Sequence, residues 1–250
     1  FVMVSYLPTP AKIGEMKTKP TQNAVRMLNG SGIQPDILIA RADVSLDQKR
    51  KEKLAFSSSI LPDRIISAPD VSSIYDIPFN FEKENLSQKI CEILDIKFKK
   101  TNSKLWSKWK QFAKNAHNGK EIINIAIIGK YFETGNFILS DSYLSVIEAI
   151  KYSSYKENKK PIISWLSSED FSQINNNKKL KELKKYDGII VPCGFGSRGV
   201  EGKLNAVSFA RKNKIPYFGL CYGMQMMVIE YARNVLNLKD ANTKEIDPKT

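Results

Sequence analysis

The stretch Ile215-Pro216-Tyr217-Phe218-Gly219-Leu220-Cys221-Tyr222-Gly223-Met224-Gln225-Met226-Met227-Val228-Ile229-Glu230 decides how this chain is read. It opens as a short apolar run of strand type and closes as an apolar-rich run of helical character, with one cysteine between two glycines at the junction. A strand that passes through G-x-C-x-G into a helix puts the cysteine on a sharp turn. There glycines remove the Cβ clash, and the first N–H groups of the helix face the sulfur. Those amides and the helix dipole favour the thiolate, the nucleophilic form of cysteine. On this stretch alone, a small core cysteine remains the alternative.

The sequence before it alternates in the same way. INIAIIGKY (123–131) reads as a buried strand ending at Gly129, and DSYLSVIEAIKY (141–152) as an amphipathic helix with Asp141 as N-cap. PIISWL (161–166) is a strand, DGIIVPCGFG (187–196) a strand running into a glycine-rich loop, and VEGKLNAVSFARKN (200–213) a helix. Such alternation predicts an α/β fold with a doubly wound parallel sheet, whose sites lie at the carboxyl ends of its strands. Cys221 and the loop Pro192-Cys193-Gly194-Phe195-Gly196 both fall at such ends. The N–H groups of that loop can form an oxyanion hole, worth roughly a hundred- to a thousandfold in rate per donor.

The first half repeats the alternation. FVMVSYL (1–7), PDILIA (35–40) and RIISAP (64–69) read as strands, with helical patterns at Asn23 to Leu28, Asp47 to Phe56 and Asn85 to Leu94. Between Lys97 and Lys120 the strand signal stops, and Trp106, Trp109 and Phe112 recur at helical spacing, as in a helical linker. The expected organisation is a first domain over 1–98, a linker over 99–120 and a second domain over 121–250.

With 250 residues, 42% of them hydrophobic, the chain can fill two moderate cores. No apolar run approaches the roughly 20 residues of a membrane-spanning helix. The first residues lack the pattern of a secretory signal and read instead as a strand entered partway, as in a piece of a longer protein. Cys91, Cys193 and Cys221 show neither metal-ligand spacing nor pairing, which suits a reducing, cytoplasmic setting. The net charge of +13 permits nucleic-acid binding. However, the Lys-rich segments 49–53, 97–100 and 178–185 lie between or on polar faces of helical patterns without interleaved aromatics, so they read as solvated surface. Neither nucleic acid nor membrane is expected as a partner, while a substrate rich in phosphate would benefit from the positive field.

GLCYGMQ (219–225) together with PCGFGSRGVEG (192–202) resembles the class I glutamine amidotransferases, and GFGSRGVEGK (194–203) is similar to the version found in CTP synthases. The first half resembles the same family independently: GEMKTKPTQNAV (14–25) its nucleotide-binding segment, DVSSIYDIP (70–78) its adenine-side segment. The resemblance covers essentially the whole chain. It implies a partial P-loop-type, Rossmann-like synthetase domain followed by a partial flavodoxin-like glutamine amidotransferase domain.

Carried over by position, the resemblance implies that Lys17, Thr18, Lys19, Pro20, Thr21 and Gln22, with Lys53, bind UTP and the product and feedback inhibitor CTP. The lysines would supply charge and the threonines hydroxyl donors. By residues alone, KTKPTQ is an ordinary basic turn before a helix and Lys53 one charge on a solvated helix. Pro69, Asp70 and Val71 would meet the adenine of ATP, with Pro69 standing where the family commonly has lysine. Cys221 would attack the glutamine carboxamide, forming a glutamyl thioester and releasing ammonia. The oxyanion would be held by amides at Cys193 and Gly194 and by that of Tyr222, with Cys193 standing where glycine is usual. Tyr222, Gly223, Met224 and Gln225 match glutamine-binding positions. Glu245, by itself a surface acid in a terminal loop, would hold the substrate's amino group.

The implied reaction is the ATP-dependent amination of UTP, with Mg²⁺ as cofactor, GTP as activator and a homotetramer as the assembly. A general base for Cys221 should be a histidine after it in the chain, yet the one histidine, His117, precedes it. A glycine-rich phosphate loop and metal-binding carboxylates are also missing from this stretch, so no metal ligand is expected here and the chain alone should be inactive. Two other readings are a glutaminase subunit serving a different acceptor, against which KTKPTQ speaks, and a scaffold with a degenerate site, against which Gly219, Cys221 and Gly223 speak.

Overall fold

The computed structural model describes residues 1–99, 103–130, 133–134, 137–138, 143–172 and 177–250. It divides into two units, Phe1–Ala113 and Lys114–Thr250. Asp141, expected as an N-cap, and Lys100, at the end of one basic run, lie outside the described residues.

The first unit runs β1 (Val2–Tyr6), α1 (Lys19–Gly30), β2 (Ile37–Ala42), α2 (Gln48–Ser58), β3 (Ile65–Pro69), α3 (Ile77–Lys83) and α4 (Leu86–Ile93). Its sheet is parallel in the order β1-β2-β3. The central strand is buried on both faces, which is why ILIA carries no polar alternation. Leu38, Ala40 and Ile65 pack toward Leu7, Leu54 and Ala55, whereas Ile37, Ile39 and Ile66 pack toward Leu86. α1 begins at Lys19, four residues before the expected start at Asn23, so most of KTKPTQ is the head of the helix rather than a turn ahead of it. Pro20 suits this first turn because its missing N–H would have had no intrahelical partner. α2 starts where the pattern predicts, with the Asp47 carboxylate accepting from the Arg50 N–H at 2.7 Å.

The aromatic stretch is helix α5 (Lys104–Asn118), and the boundary between the units falls within it. Its stripe packs in the first unit. Trp109 and Phe112 meet the Tyr75 ring edge-on at 6.0 and 4.8 Å, Trp106 tilts against Phe79, and the Trp109 indole N–H donates to the Tyr75 carbonyl.

The second unit contains β4 (Glu121–Gly129), a short antiparallel pair β5 (Glu133–Thr134) and β6 (Phe137–Ile138), then α6 (Leu144–Lys156), β7 (Lys159–Ser167), α7 (Asn177–Glu182), β8 (Gly188–Val191), α8 (Val200–Lys212), β9 (Tyr217–Gly219) and α9 (Tyr222–Asn234). The main sheet is parallel throughout, in the order β7-β4-β8-β9. The chain leaves β4 for one side and returns to build the other. This is the flavodoxin-type order, and its reversal point lies between β4 and β8, where the loops part and open a crevice at the carboxyl ends. Ala126, Ile128, Ile189 and Val191 face Phe171, Ala206 and Ala210 in one core layer, while Ile127 meets Tyr143 and Ile150 in the other. No described helix is long and apolar enough to cross a membrane.

Candidate active site

Three parallel strands deliver their carboxyl ends to one crevice. β9 ends at Gly219, in register with Val191 at the end of β8, so Cys221 and Cys193 each stand two residues beyond a register pair. Cys221 is exposed, immediately before the first residue of α9, with φ 51° and ψ −101°. A side chain in that region is uncommon and is kept only where surrounding packing enforces it.

Packing on both sides enforces it here. A methyl group on Gly219 would overlap the backbone at Gly223 and Met224, and one on Gly223 would overlap the Val191 carbonyl. The turn is closed by the Leu220 N–H donating to Val191 at 2.9 Å and the Gly223 N–H donating to Leu220 at 3.0 Å. The Tyr217 hydroxyl donates to the Gly223 carbonyl at 2.8 Å, and burial pushes its phenol pKa well above the ordinary value.

The loop after β8 is tied down through its carbonyls. Cys193 accepts from the Tyr143 hydroxyl at 3.1 Å, Phe195 from the Lys130 ammonium, and Gly196 from the Tyr222 hydroxyl at 2.7 Å. Among the described residues, the N–H groups of Cys193, Gly194, Phe195 and Gly196 meet no protein acceptor. A loop held by its carbonyls with its amides unspent is equipped to receive an anion. Gly194 abuts Tyr222: a Cβ on Gly194 would lie 3.6 Å from that ring.

The remaining residues expected in the second unit fall as follows. Tyr222 and Gly223 are buried, Met224 is exposed, and the buried Oε1 of Gln225 has no hydrogen-bond partner among the described residues. Glu245 is exposed in the segment after α9, and its charge acts on Lys203, as does that of Lys130. Sequence reasoning missed Lys203, which lies in the first turn of α8 and is only 1% exposed. His117 is exposed at the end of α5, just ahead of β4. The nine residues of β4 put roughly 26 Å between that edge of the sheet and the crevice.

In the first unit the nucleotide-segment residues separate into two sets. Thr18, Thr21 and Gln22 are buried: Gln22 donates to the Thr18 hydroxyl at 3.2 Å, and Thr21 bonds the Ser5 hydroxyl at 2.8 Å and the Tyr6 carbonyl at 3.3 Å. Lys19 and Pro20 are exposed at the head of α1, and Lys17 is half-buried. The Lys17 ammonium bonds Glu15 at 2.5 Å, with the Arg50 guanidinium 3.8 Å from the same carboxylate. That Lys17 bond, and the charges of Arg50 and Lys53, hold the Glu15 carboxyl below its ordinary pKa. Lys17, Arg50 and Lys53 thus share one field. Arg50 also went unread, although its place three residues before Lys53 on one helix face is the signal for it. Pro69, Asp70 and Val71 lie at the end of β3, where the Asp70 N–H donates to Ala42 and its carboxylate accepts from Arg41 at 2.7 Å.

Each of the two units is similar to known proteins. Residues 138–247, which include the glycine-flanked cysteine, match the family described as glutamine amidotransferase class-I. Residues 1–96 match the CTP synthase N-terminus. Over its whole length the chain is 42% identical to the CTP synthase of Sulfolobus acidocaldarius and 42% identical to that of Prochlorococcus marinus strain AS9601. It spans about 45% of the length of these curated relatives. A solved structure described as Trypanosoma brucei CTPS, glutaminase domain with bound acivicin, is 39% identical over 51% of this chain and 47% of that one, at a TM-score of 0.47.

Proposed function

We propose that this chain supplies the glutaminase nucleophile and part of the nucleotide site of a protein that aminates UTP to CTP, using ATP and ammonia released from glutamine. The observation that carries the proposal is the placement of Cys221, exposed at the head of α9 opposite a loop with four unspent amides. The Cys221 thiolate adds to the carboxamide carbon, and the oxyanion that forms is received by the amides of Cys193 and Gly194 and by that of Tyr222. Collapse expels the amide nitrogen, which takes up a proton and leaves as ammonia, and the glutamyl thioester is then hydrolysed. Tyr222, Gly223, Met224 and Gln225, in the first turn of α9, bind the substrate beside the nucleophile, and Glu245 offers a carboxylate for its amino group.

In the first unit, Lys17, Lys19 and Lys53 provide charge for the UTP or CTP phosphates, while Thr21 braces the head of α1 against β1 and Gln22 bonds Thr18 within it. Since Arg41 holds the Asp70 carboxylate, Pro69, Asp70 and Val71 meet adenine through backbone groups. The family implies ATP and Mg²⁺ use. Among the described residues no group of three or more His, Cys, Asp or Glu side chains offers a metal site, so no Mg²⁺ ligand is assigned. GTP activation, a homotetramer and a cytoplasmic location complete the proposal. The test is incorporation of ¹⁵N from glutamine or from an ammonium salt into UTP by a protein of the relatives' full length. Incorporation from both sources is expected, and incorporation from neither refutes the function.

A further inference from the structure

Lys203 is a buried ammonium that the reaction outlined above leaves without a task. Its Nζ lies 4.8 Å from the centre of the Tyr222 ring and 3.0 Å from where a Cβ on Gly194 would stand. Among the described residues it has no hydrogen bond and no ion pair, although a cation taken out of water normally acquires a carboxylate. The groups that face it are the Tyr222 ring from α9, Gly194 from the loop after β8, Lys130 from the end of β4 and, through its charge alone, Glu245. Burial first, and Lys130 second, lower its pKa to about 8, against a smaller opposing pull from Glu245.

A merely structural filler of this space would be apolar. An unpaired charge beneath the loop destabilises the fold but creates positive potential at the one place where negative charge is to form, first on sulfur and then on oxygen. We propose that Lys203 is a positioning residue of the Cys221 site: its ammonium, set between Gly194 and the Tyr222 ring, holds the 193–196 loop against the head of α9 and favours anions there. The proposal rests on Cys221 being the nucleophile.

Both ideas are tested on this chain by the rate at which Cys221 is alkylated, followed by peptide mass spectrometry with Cys91 as an internal reference. In Lys203→Met the rate with iodoacetamide near pH 7 is expected to fall about threefold, the equivalent of half a pH unit. The ratio of iodoacetate to iodoacetamide rates should fall as well, because the anionic reagent senses the lost charge directly. Lys203→Arg should retain both, and the wild-type advantage should shrink above about pH 8, as Lys203 gives up its proton. Thermal unfolding should move the opposite way, with Lys203→Met at least as stable as the parent. Rates and ratios in Lys203→Met equal to wild type would overturn the proposal. So would loss of folding in both Lys203→Met and Lys203→Gln, which assigns the residue a structural role. A wild-type Cys221 no faster than Cys91 counts instead against Cys221 as the nucleophile.

Discussion

The α-carbon of Gly223 lies so close to the Val191 carbonyl that a methyl group on it would overlap the oxygen. This contact seats α9 on the end of β8 and thereby fixes where Cys221 stands. Gly223→Ala forces the helix off the strand, a strain of about 3 kcal/mol. Gly30→Ala, at the end of α1 with nothing near it, should be neutral or slightly stabilising. Urea midpoints of the two variants decide this, and equal midpoints would remove Gly223 from the account of the turn.

Cys221→Ala in the full-length protein should abolish CTP formation from glutamine while leaving formation from ammonium salt, because in the proposed reaction the thiol acts only in releasing ammonia. Loss of both activities in a folded protein would contradict that division. The chain by itself should release no glutamate at a measurable rate, since its one histidine stands at the opposite edge of the sheet from the crevice. Steady release that depends on Cys221 would require another base.

Replacing Lys17 or Lys19 by Ala removes the charge-assisted contact proposed for the nucleotide and should weaken apparent UTP affinity about tenfold. CTP inhibition should weaken in parallel. Unaltered UTP dependence in both variants would return this segment to an ordinary helix start.

Glu230, buried on α9, is held at both oxygens by Arg211 of α8, at 2.9 and 2.8 Å. Burial raises its pKa, but hydrogen bonds from Arg211, Asn234 and Ser208 outweigh this, and the folded value lies below the ordinary one. The pair therefore contributes stability above the unfolded carboxyl value of about 4.3 and loses it as pH falls through the lower folded value. Glu230→Gln should flatten the acid limb of the stability curve. A limb as steep as wild type would show that other carboxylates dominate it.

The parallel sheets, their order of elements and the turn at Cys221 were legible because glycine punctuation and buried runs such as IAII leave few alternatives. α3 and the turn Ile74–Asp76 were not, since a seven-residue helix with Pro78 in its first turn has no periodicity to read. KTKPTQ was misread locally for a related reason: its charges suggested a solvated turn, whereas Thr18, Thr21 and Gln22 are buried, and Thr21 bonds Ser5 and Tyr6 of β1, far away in sequence. Lys203 stayed hidden because a lysine on an amphipathic helix is ordinarily solvent-facing. Only the tertiary fold shows that this one points inward.

The backbone angles of Cys221 bear on why this residue persists at all. An L-residue at φ 51° and ψ −101° resists its own conformation by roughly 1–3 kcal/mol. Glycine there would relieve that resistance, so Cys221→Gly should melt at a higher temperature than the parent chain. Random drift filtered only by foldability would exchange this cysteine for glycine, and under the proposed reaction natural selection for a nucleophilic sulfur opposes the exchange.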